Sequence, residues 1–425
     1  MKKTCIFTLI ILITNIMLSG CYDLREIDDL AYVMVIGLDK GKTNELKMTL
    51  EFATPNSGTG GKEEGGGKER SITVIECPTI YSGFNMVNNY LSKEINLSHA
   101  RAIIFSEDLA MEGIEKYLHA IFRGREFRGD MHIAISRGLA ENFIKNTEPS
   151  LEMNPAKHFE LMLTSHKYTG LTPSSRLINF YLTIECTCVQ ASATLVGVNT
   201  YESSDEFRLQ DSTFKNKERE LPMEGDYKAG DLPKTFTRSS EVMGMAVFDG
   251  AKMVGSFDGE MTTYYLMISG KFQNAYETVK DPIKKDQFVV LSMKQSRKPT
   301  HKVILVDGQP KISAKVELEA DILSIQSGIN YEDPEKLKIL EKSTEKFLKK
   351  EMLLFLEKTR KLNVDICGFG KYLKKRTLFW DEWRELDWYS KYKDAQFNID
   401  VSLKIRRPGL FLKSIPAESS KGREF

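Results

Sequence analysis

The sequence predicts an α+β protein built from several unlike units, and three observations carry that prediction. Over its first ~170 residues, apolar runs of strand length alternate with amphipathic stretches of helical period. Between Phe288 and Ile322, and again at Phe397, Ile399, Val401, Leu403 and Ile405, apolar and polar residues alternate at the period of a half-buried strand. Between those stretches, Leu337, Leu340, Thr344, Phe347, Leu348, Met352 and Phe355 keep one face of a long helix apolar. The expected architecture is a mixed α/β N-terminal domain, a small β-rich middle domain and a C-terminal antiparallel sheet packed against a long helix.

The chain opens on a targeting segment. Lys2 and Lys3 precede an apolar run from Ile6 to Met17, which leads through Leu18-Ser19-Gly20 into Cys21. A charged start, a short apolar stretch and small residues before a cleavage point make a secretory signal over residues 1–20. Its lipobox ending makes Cys21 the expected site of a diacylglyceryl thioether. Two acyl chains at ~0.8 kcal/mol per buried CH₂ hold a protein stably on a membrane. The competing reading, an uncleaved membrane-spanning anchor, asks for ~20 apolar residues and finds fewer.

After Cys21, apolar residues at 24, 27 and 30 fit a short helix, and Ala31 to Leu38 a strand. Asp39 to Lys42 is turn chemistry, and Leu46, Met48, Leu50 and Phe52 form the return strand of a hairpin. Gly58 to Gly67 holds six glycines among lysines and glutamates, a flexible loop without the strand-to-helix setting of a phosphate cradle. Tyr81–Ser92 reads as a helix and Ala100–Phe105 as a strand. Ser106-Glu107-Asp108 then caps a helix that runs to about Phe122. A strand follows at Met131–Ser136, with helices near 138–146, 155–166 and 174–185.

Residues 199–240 are polar and aperiodic, a long connection. Glu241 to Lys271 reads as a compact β unit with a turn at Asp249-Gly250 and an apolar stretch at Tyr264–Ile268. Phe288–Met293, Val303–Val306 and Ile312–Ile322 are expected as consecutive strands, with Asp307-Gly308 as one turn. Asp333-Pro334 starts the long helix. The implied boundaries are 1–20 signal, 21–198 N-terminal domain, 199–275 middle domain, 276–410 C-terminal domain and 411–425 tail.

Composition narrows the function. With 60 basic against 59 acidic residues, the net charge of +1 gives no support to a nucleic-acid partner. Once Cys5 leaves with the signal and Cys21 is acylated, Cys77, Cys186, Cys188 and Cys367 remain. Cys186-Thr187-Cys188 has neither redox-motif spacing nor a second pair for zinc. Buried thiols are expected there, with a disulfide as the alternative. The six histidines show no ligand spacing and no G-x-S-x-G elbow occurs, so no catalytic residue, cofactor or metal is expected. Gly368-Phe369-Gly370 reads as a tight turn presenting a buried phenylalanine. Trp380, Trp383, Trp388 and Tyr389 read as core packing, with an exposed partner patch as the alternative. Lys404, Arg406 and Arg407 read as the solvated face of a strand, with a contact to anionic headgroups as the sharper possibility.

Four segments, in order, carry a resemblance. Gly20-Cys21-Tyr22-Asp23-Leu24-Arg25-Glu26-Ile27 followed by Ile36-Gly37-Leu38-Asp39 resembles the opening G-C-W-D-x-R-E-I … G-I-G-x-D-K of the Ger(x)C family. Met243 to Phe248 with Lys252-Met253-Val254-Gly255 is similar to its G-x-A-V-F … K-x-V-G unit. Ile366 to Leu373 resembles its D-x-x-G-F-G-x-x-L segment, and Val401 to Gly409 its closing V-x-V-K-I-R-R-x-G strand. Tyr22 departs from the usual tryptophan, and the glycine-rich loop and the 199–240 segment look longer than usual.

The resemblance implies a lipoprotein C subunit of a spore germinant receptor, a three-domain ectodomain on the outer face of the spore inner membrane. Its partners would be integral-membrane A-type and B-type subunits and, through Cys21, membrane lipid, with no chemistry of its own. The alternative is an extracytoplasmic solute-binding lipoprotein, which would be expected to show two similar lobes. An extracellular hydrolase is a more distant third.

Overall fold

The computed structural model describes residues 26–53, 70–148, 154–199, 222–234 and 240–408, with isolated positions at 152 and within the first 14. Cys21, the glycine-rich loop and most of the 199–240 connection lie outside the described residues.

The first half alternates as expected. Strands β1 (Leu30–Lys40), β2 (Leu46–Phe52) and β3 (Ser71–Cys77) are followed by α1 (Ile80–Asn88), the short β4 (Glu94–Asn96) and β5 (Ala102–Ser106). Then come α2 (Glu107–Glu112), α3 (Glu115–Arg123), β6 (His132–Arg137), α4 (Ala140–Asn146), α5 (Pro155–Leu163), α6 (Leu177–Ile184) and β7 (Ser192–Val198). The single helix expected from Ser106 to Phe122 is two, because the chain turns at Gly113 with φ +120°, a conformation open to glycine. Asp39, at the end of β1, accepts the N–H groups of Ala140 (2.7 Å) and Glu141 (2.9 Å), which ties α4 to the sheet.

These strands form one mixed nine-stranded sheet in the order β3-β2-β1-β5-β6-β7-β8-β9, with the short β4 pairing in parallel with β1 off that path; β8 (Ser240–Asp249) and β9 (Lys252–Phe257) form a hairpin antiparallel to β7. The central strands β1, β5, β6 and β7 are parallel and covered on both faces. On one face Ile103, Ile133 and Leu195 meet Ile80, Leu118 and Phe180; on the other Val35, Ile104 and Val196 meet Phe143 and Phe159.

The Glu241–Lys271 stretch thus divides between the two halves. Its hairpin completes the first sheet, and its apolar stretch is a helix, α7 (Gly259–Ser269), buried along nearly its whole length. A helix buried on every side has no polar face to set a period, which is why Tyr264–Ile268 gave no helical signal. α7 lies in the second core, which runs from Met245 and Val247 of β8 to Val316 and Leu318 of the second sheet.

That second sheet has the order β10-β11-β12-β13, with β10 (Asn274–Lys280), β11 (Phe288–Val306), β12 (Gln309–Ile325) and β13 (Gln396–Arg407). The two strands expected at 288–293 and 303–306 are one long strand whose polar middle, Lys294–Thr300, is largely exposed beside shifts in register. Asp307 and Gly308, with φ of 52° and 80°, make the two-residue turn into β12. Between β12 and β13 run α8 (Pro334–Lys361), α9 (Gly370–Lys374), α10 (Trp380–Leu386) and α11 (Trp388–Tyr392). β13 pairs with β12 in parallel, Val316 opposite Val401, so the sheet is antiparallel only across its first three strands. The long helical crossover returns the chain to the same end of the sheet, as parallel pairing requires. Ile399, Val401, Leu403 and Ile405 point inward toward Leu348 and Met352, and Ser402 faces solvent.

Candidate functional site

The two halves meet at a polar knot centred on Asp365, in the loop after α8. Its Oδ1 accepts the N–H groups of Gly368 (2.8 Å) and Phe369 (2.9 Å), and its Oδ2 accepts those of Gly370 (2.8 Å) and the Trp388 indole (3.0 Å). Four donors converge on one carboxylate, fixing the Gly368-Phe369-Gly370 turn and seating Phe369 fully in the core. Burial pushes the Asp365 pKa up to about 6, against the pull of those four donors. Gly370 is required by closeness: a Cβ there would lie 2.6 Å from Trp388 Nε1 and 2.7 Å from the Cys188 carbonyl oxygen.

Gln190, just before β7, binds the same loop. Its backbone N–H donates to the Asp365 carbonyl at 3.0 Å, its Oε1 accepts the Asp365 N–H at 2.6 Å, and its Nε2 donates to Asp249 at 2.9 Å. Trp383 donates to the Thr187 hydroxyl at 2.8 Å, and the Tyr389 hydroxyl donates to either the Cys186 (2.9 Å) or Val189 (3.0 Å) carbonyl. Trp383 and Trp388 are therefore core and junction residues. Trp380 stays 54% exposed beside Leu378 (89%) and Phe379 (67%), an apolar tip open to water. Cys186 and Cys188, expected as buried thiols, are joined as a disulfide; their Cα atoms lie 5.4 Å apart, within the span a bridge tolerates.

Beside the knot opens a cleft of about 570 Å³. Arg176, at the N-cap of α6, and Asn179 of α6 form one wall, Val189–Ser192 the floor, Tyr265 and Lys271 a second wall, and Ile366–Lys375 the rim. His301 braces that rim: its Nε2–H donates to the Ile268 carbonyl, so its Nδ1 accepts from the Tyr372 hydroxyl, each at 2.9 Å. His132 is buried on β6 with neither ring nitrogen hydrogen-bonded among the described residues, and burial pushes its pKa down to about 3. Among the described residues no three of His, Cys, Asp and Glu converge as metal ligands. Lys404 and Arg406 are exposed and reach Glu341 (3.1 Å) and Glu319 (2.7 Å), as a solvated face does.

Asp365 and Gln190 gave no signal of their own in the sequence. The one available clue is that Asp365 stands at the first position of the D-x-x-G-F-G pattern. Cys21 lies outside the described residues. Among the described residues no helix is long and apolar enough to cross a membrane.

Two family models match the chain in tandem: the spore germination protein N-terminal domain over residues 23–189, and the spore germination B3/GerAC-like C-terminal domain over residues 243–409. The chain belongs to the Ger(x)C family. Knot and cleft draw on both matched segments, Ser174 to Val189 from the first and Asp249 to Trp388 from the second, with Gln190 to Ser192 between them. Among relatives, spore germination protein KC of Bacillus subtilis (strain 168) is 25% identical over 96% of this chain and 97% of its own length. Spore germination protein GerQC of Bacillus cereus is 21% identical over 96% of this chain and 99% of its own. The crystal structure of the GerBC protein shares the fold, with a TM-score of 0.52 at 15% identity over 87% of this chain and 96% of that one. Membership in the Ger(x)C family of germinant receptor subunits supports a role in spore germination.

Proposed function

We propose that this protein is the lipid-anchored C subunit of a nutrient germinant receptor, tethered through Cys21 to the outer face of the bacterial cell membrane and the spore inner membrane. It acts by assembly with integral-membrane A-type and B-type subunits and not by catalysis. The observation that carries this reading is the order of matches: a lipobox at Leu18–Cys21 leads directly into tandem Ger(x)C domains spanning 23–409. The unlike halves support it over the solute-binding alternative. A nine-stranded sheet covered on both faces and a four-stranded sheet with its own long helix are not two copies of one lobe. The exposed Leu378-Phe379-Trp380 tip offers apolar surface of the kind that protein partners bury.

The test is purification of the detergent-solubilised lipoprotein from spores and identification of what co-purifies. Recovery of two integral-membrane proteins, reduced when Leu378, Phe379 and Trp380 are all replaced by serine, is expected. Recovery of the lipoprotein alone, or with a transporter permease and no receptor subunit, speaks against the assembly.

A further inference from the structure

The cleft beside the Asp365 knot is lined by five cations contributed from three separate parts of the chain: Arg176, Lys271, Lys371, Lys374 and Lys375. None of the five forms an ion pair with a carboxylate among the described residues, although cations elsewhere on the surface do, as Lys404 does with Glu341 and Arg406 with Glu319. Arg176 donates to the Asp130 carbonyl, and Lys271 donates to the Tyr265 hydroxyl at 2.7 Å. Lys374 stands over the Trp380 ring at 4.4 Å, and Lys375 over the Tyr372 ring at 5.6 Å. These contacts orient the side chains without supplying a carboxylate partner, and the Tyr265 hydroxyl holds the Lys271 pKa above the ordinary lysine value. Lys371 shifts the other way: crowding by protein, and then the positive field of Lys271, hold its pKa below the ordinary lysine value. The carboxylate whose field reaches it is Asp365, sealed behind the turn with its oxygens already filled.

We propose that this cleft binds a small anion carrying two or more negative charges as phosphate or carboxylate groups. Like charges gathered around one concavity repel each other until an anion enters, so binding relieves strain as well as making new bonds. The hydroxyls of Ser174, Ser192 and Ser269 and the amide of Asn179 add neutral partners on the walls. The rings of Tyr265 and Tyr372 flank the space where an organic anion would carry its apolar part. The cleft volume matches a small molecule, and the walls come from both halves of the fold. A bound anion would therefore brace the junction. The proposal does not depend on the lipid anchor or on receptor assembly, and it stands or falls separately from them.

The same oxyanion chemistry has two sources, a free solute or a lipid headgroup, and the experiment separates them. The full-length mature lipoprotein in neutral detergent at low salt is titrated with inorganic pyrophosphate by calorimetry. One saturable site per chain is expected, with a raised melting midpoint on binding. Lys271→Gln and Lys371→Gln should each weaken it about tenfold while melting like wild type without ligand. Lys404→Gln, on the solvated face of β13, should bind as wild type does. In a second arm, phosphatidylglycerol is added to the micelles. Competitive loss of pyrophosphate binding assigns the site to a headgroup, and unchanged binding assigns it to a free anion. The site is refuted by absence of saturation below about 10 mM, or by Lys271→Gln and Lys371→Gln variants that bind no more weakly than Lys404→Gln.

Discussion

Glu341, on α8, accepts the backbone N–H of Ile405 on β13 at 2.9 Å, and Glu345 one turn on accepts that of Leu403 at 3.0 Å. β13 is an edge strand of its sheet, and alternate N–H groups of an edge strand face outward without a partner. The helix that covers the sheet also closes its edge, with two carboxylates standing in for a fifth strand.

The first prediction tests that role. Glu341→Leu leaves the Ile405 N–H without its acceptor, at a cost of about 1–2 kcal/mol. It also reopens a template for strand addition. A lower melting midpoint and a concentration-dependent dimer by sedimentation are expected, and Glu341→Gln, which keeps an acceptor oxygen, should stay close to wild type. Equal loss in both variants would place the effect in the Lys404 ion pair instead.

Asp365 supplies the second. In Asp365→Asn an NH₂ replaces an oxygen that faces only donors, leaving buried N–H groups opposed at about 1–3 kcal/mol each. The pH dependence has a definite sign. The folded pKa of about 6 lies above the ordinary aspartate value, so the folded state holds the proton more tightly. This group's contribution to stability is full below about pH 4 and is lost as pH rises through 6. The gap in melting midpoint between wild type and Asp365→Asn should be widest near pH 4 and narrow toward pH 7.5. A gap that widens with pH would mean the four donors outweigh burial.

The third prediction runs the opposite way. His132 is held neutral with its pKa depressed to about 3, while the unfolded chain takes up a proton near the ordinary histidine value. Its contribution is present above about pH 6.5 and is lost as pH falls from there toward 3. His132→Phe, filling similar space without a proton site, should flatten the acid side of the pH–stability curve by several kcal/mol. An unchanged acid limb would show that His132 is reached by water.

Much of this fold was legible from the chain because burial imposes local periods. The inward face of β13, the apolar stripe of α8, the Asp307-Gly308 turn and the buried Phe369 each follow from a few neighbouring residues. What was not legible depends on partners remote in sequence. A strand alternates identically whether its neighbour runs parallel or antiparallel, so Val401 showed its face and not its direction. The β8–β9 hairpin gave no sign of which sheet it joins. Gln190 and Asp365 stand 175 positions apart, and the five cleft cations come from three segments. Each of those residues, taken singly, is an ordinary surface or loop residue. Only the closing of the two halves makes them a knot and a cleft.

The fourth prediction concerns the anchor. Serine is nearly isosteric with cysteine and cannot form a thioether, so Cys21→Ser should leave the precursor uncleaved at that site, unlabelled by a palmitate analogue and poorly able to support nutrient germination. Normal labelling with normal germination would remove Cys21 from the mechanism.

The last prediction sets two neighbours on β13 against each other. Val401 is 7% exposed and packs toward α8, while Ser402 points to water. Burying a valine is worth about 1.5–3 kcal/mol, and an aspartate in its place adds the cost of a buried charge with no partner. That sum is a large share of an ordinary domain's stability. The second core is continuous from β8 through α7 to β13, so the damage should spread across both halves, and the full chain is the right object to melt. Val401→Asp should lower the midpoint severely or prevent folding, and Ser402→Asp should shift it little. Val401→Ala, which removes volume without adding charge, should fall between them. Equal losses for Val401→Asp and Ser402→Asp would mean that both faces of β13 are covered in the working assembly.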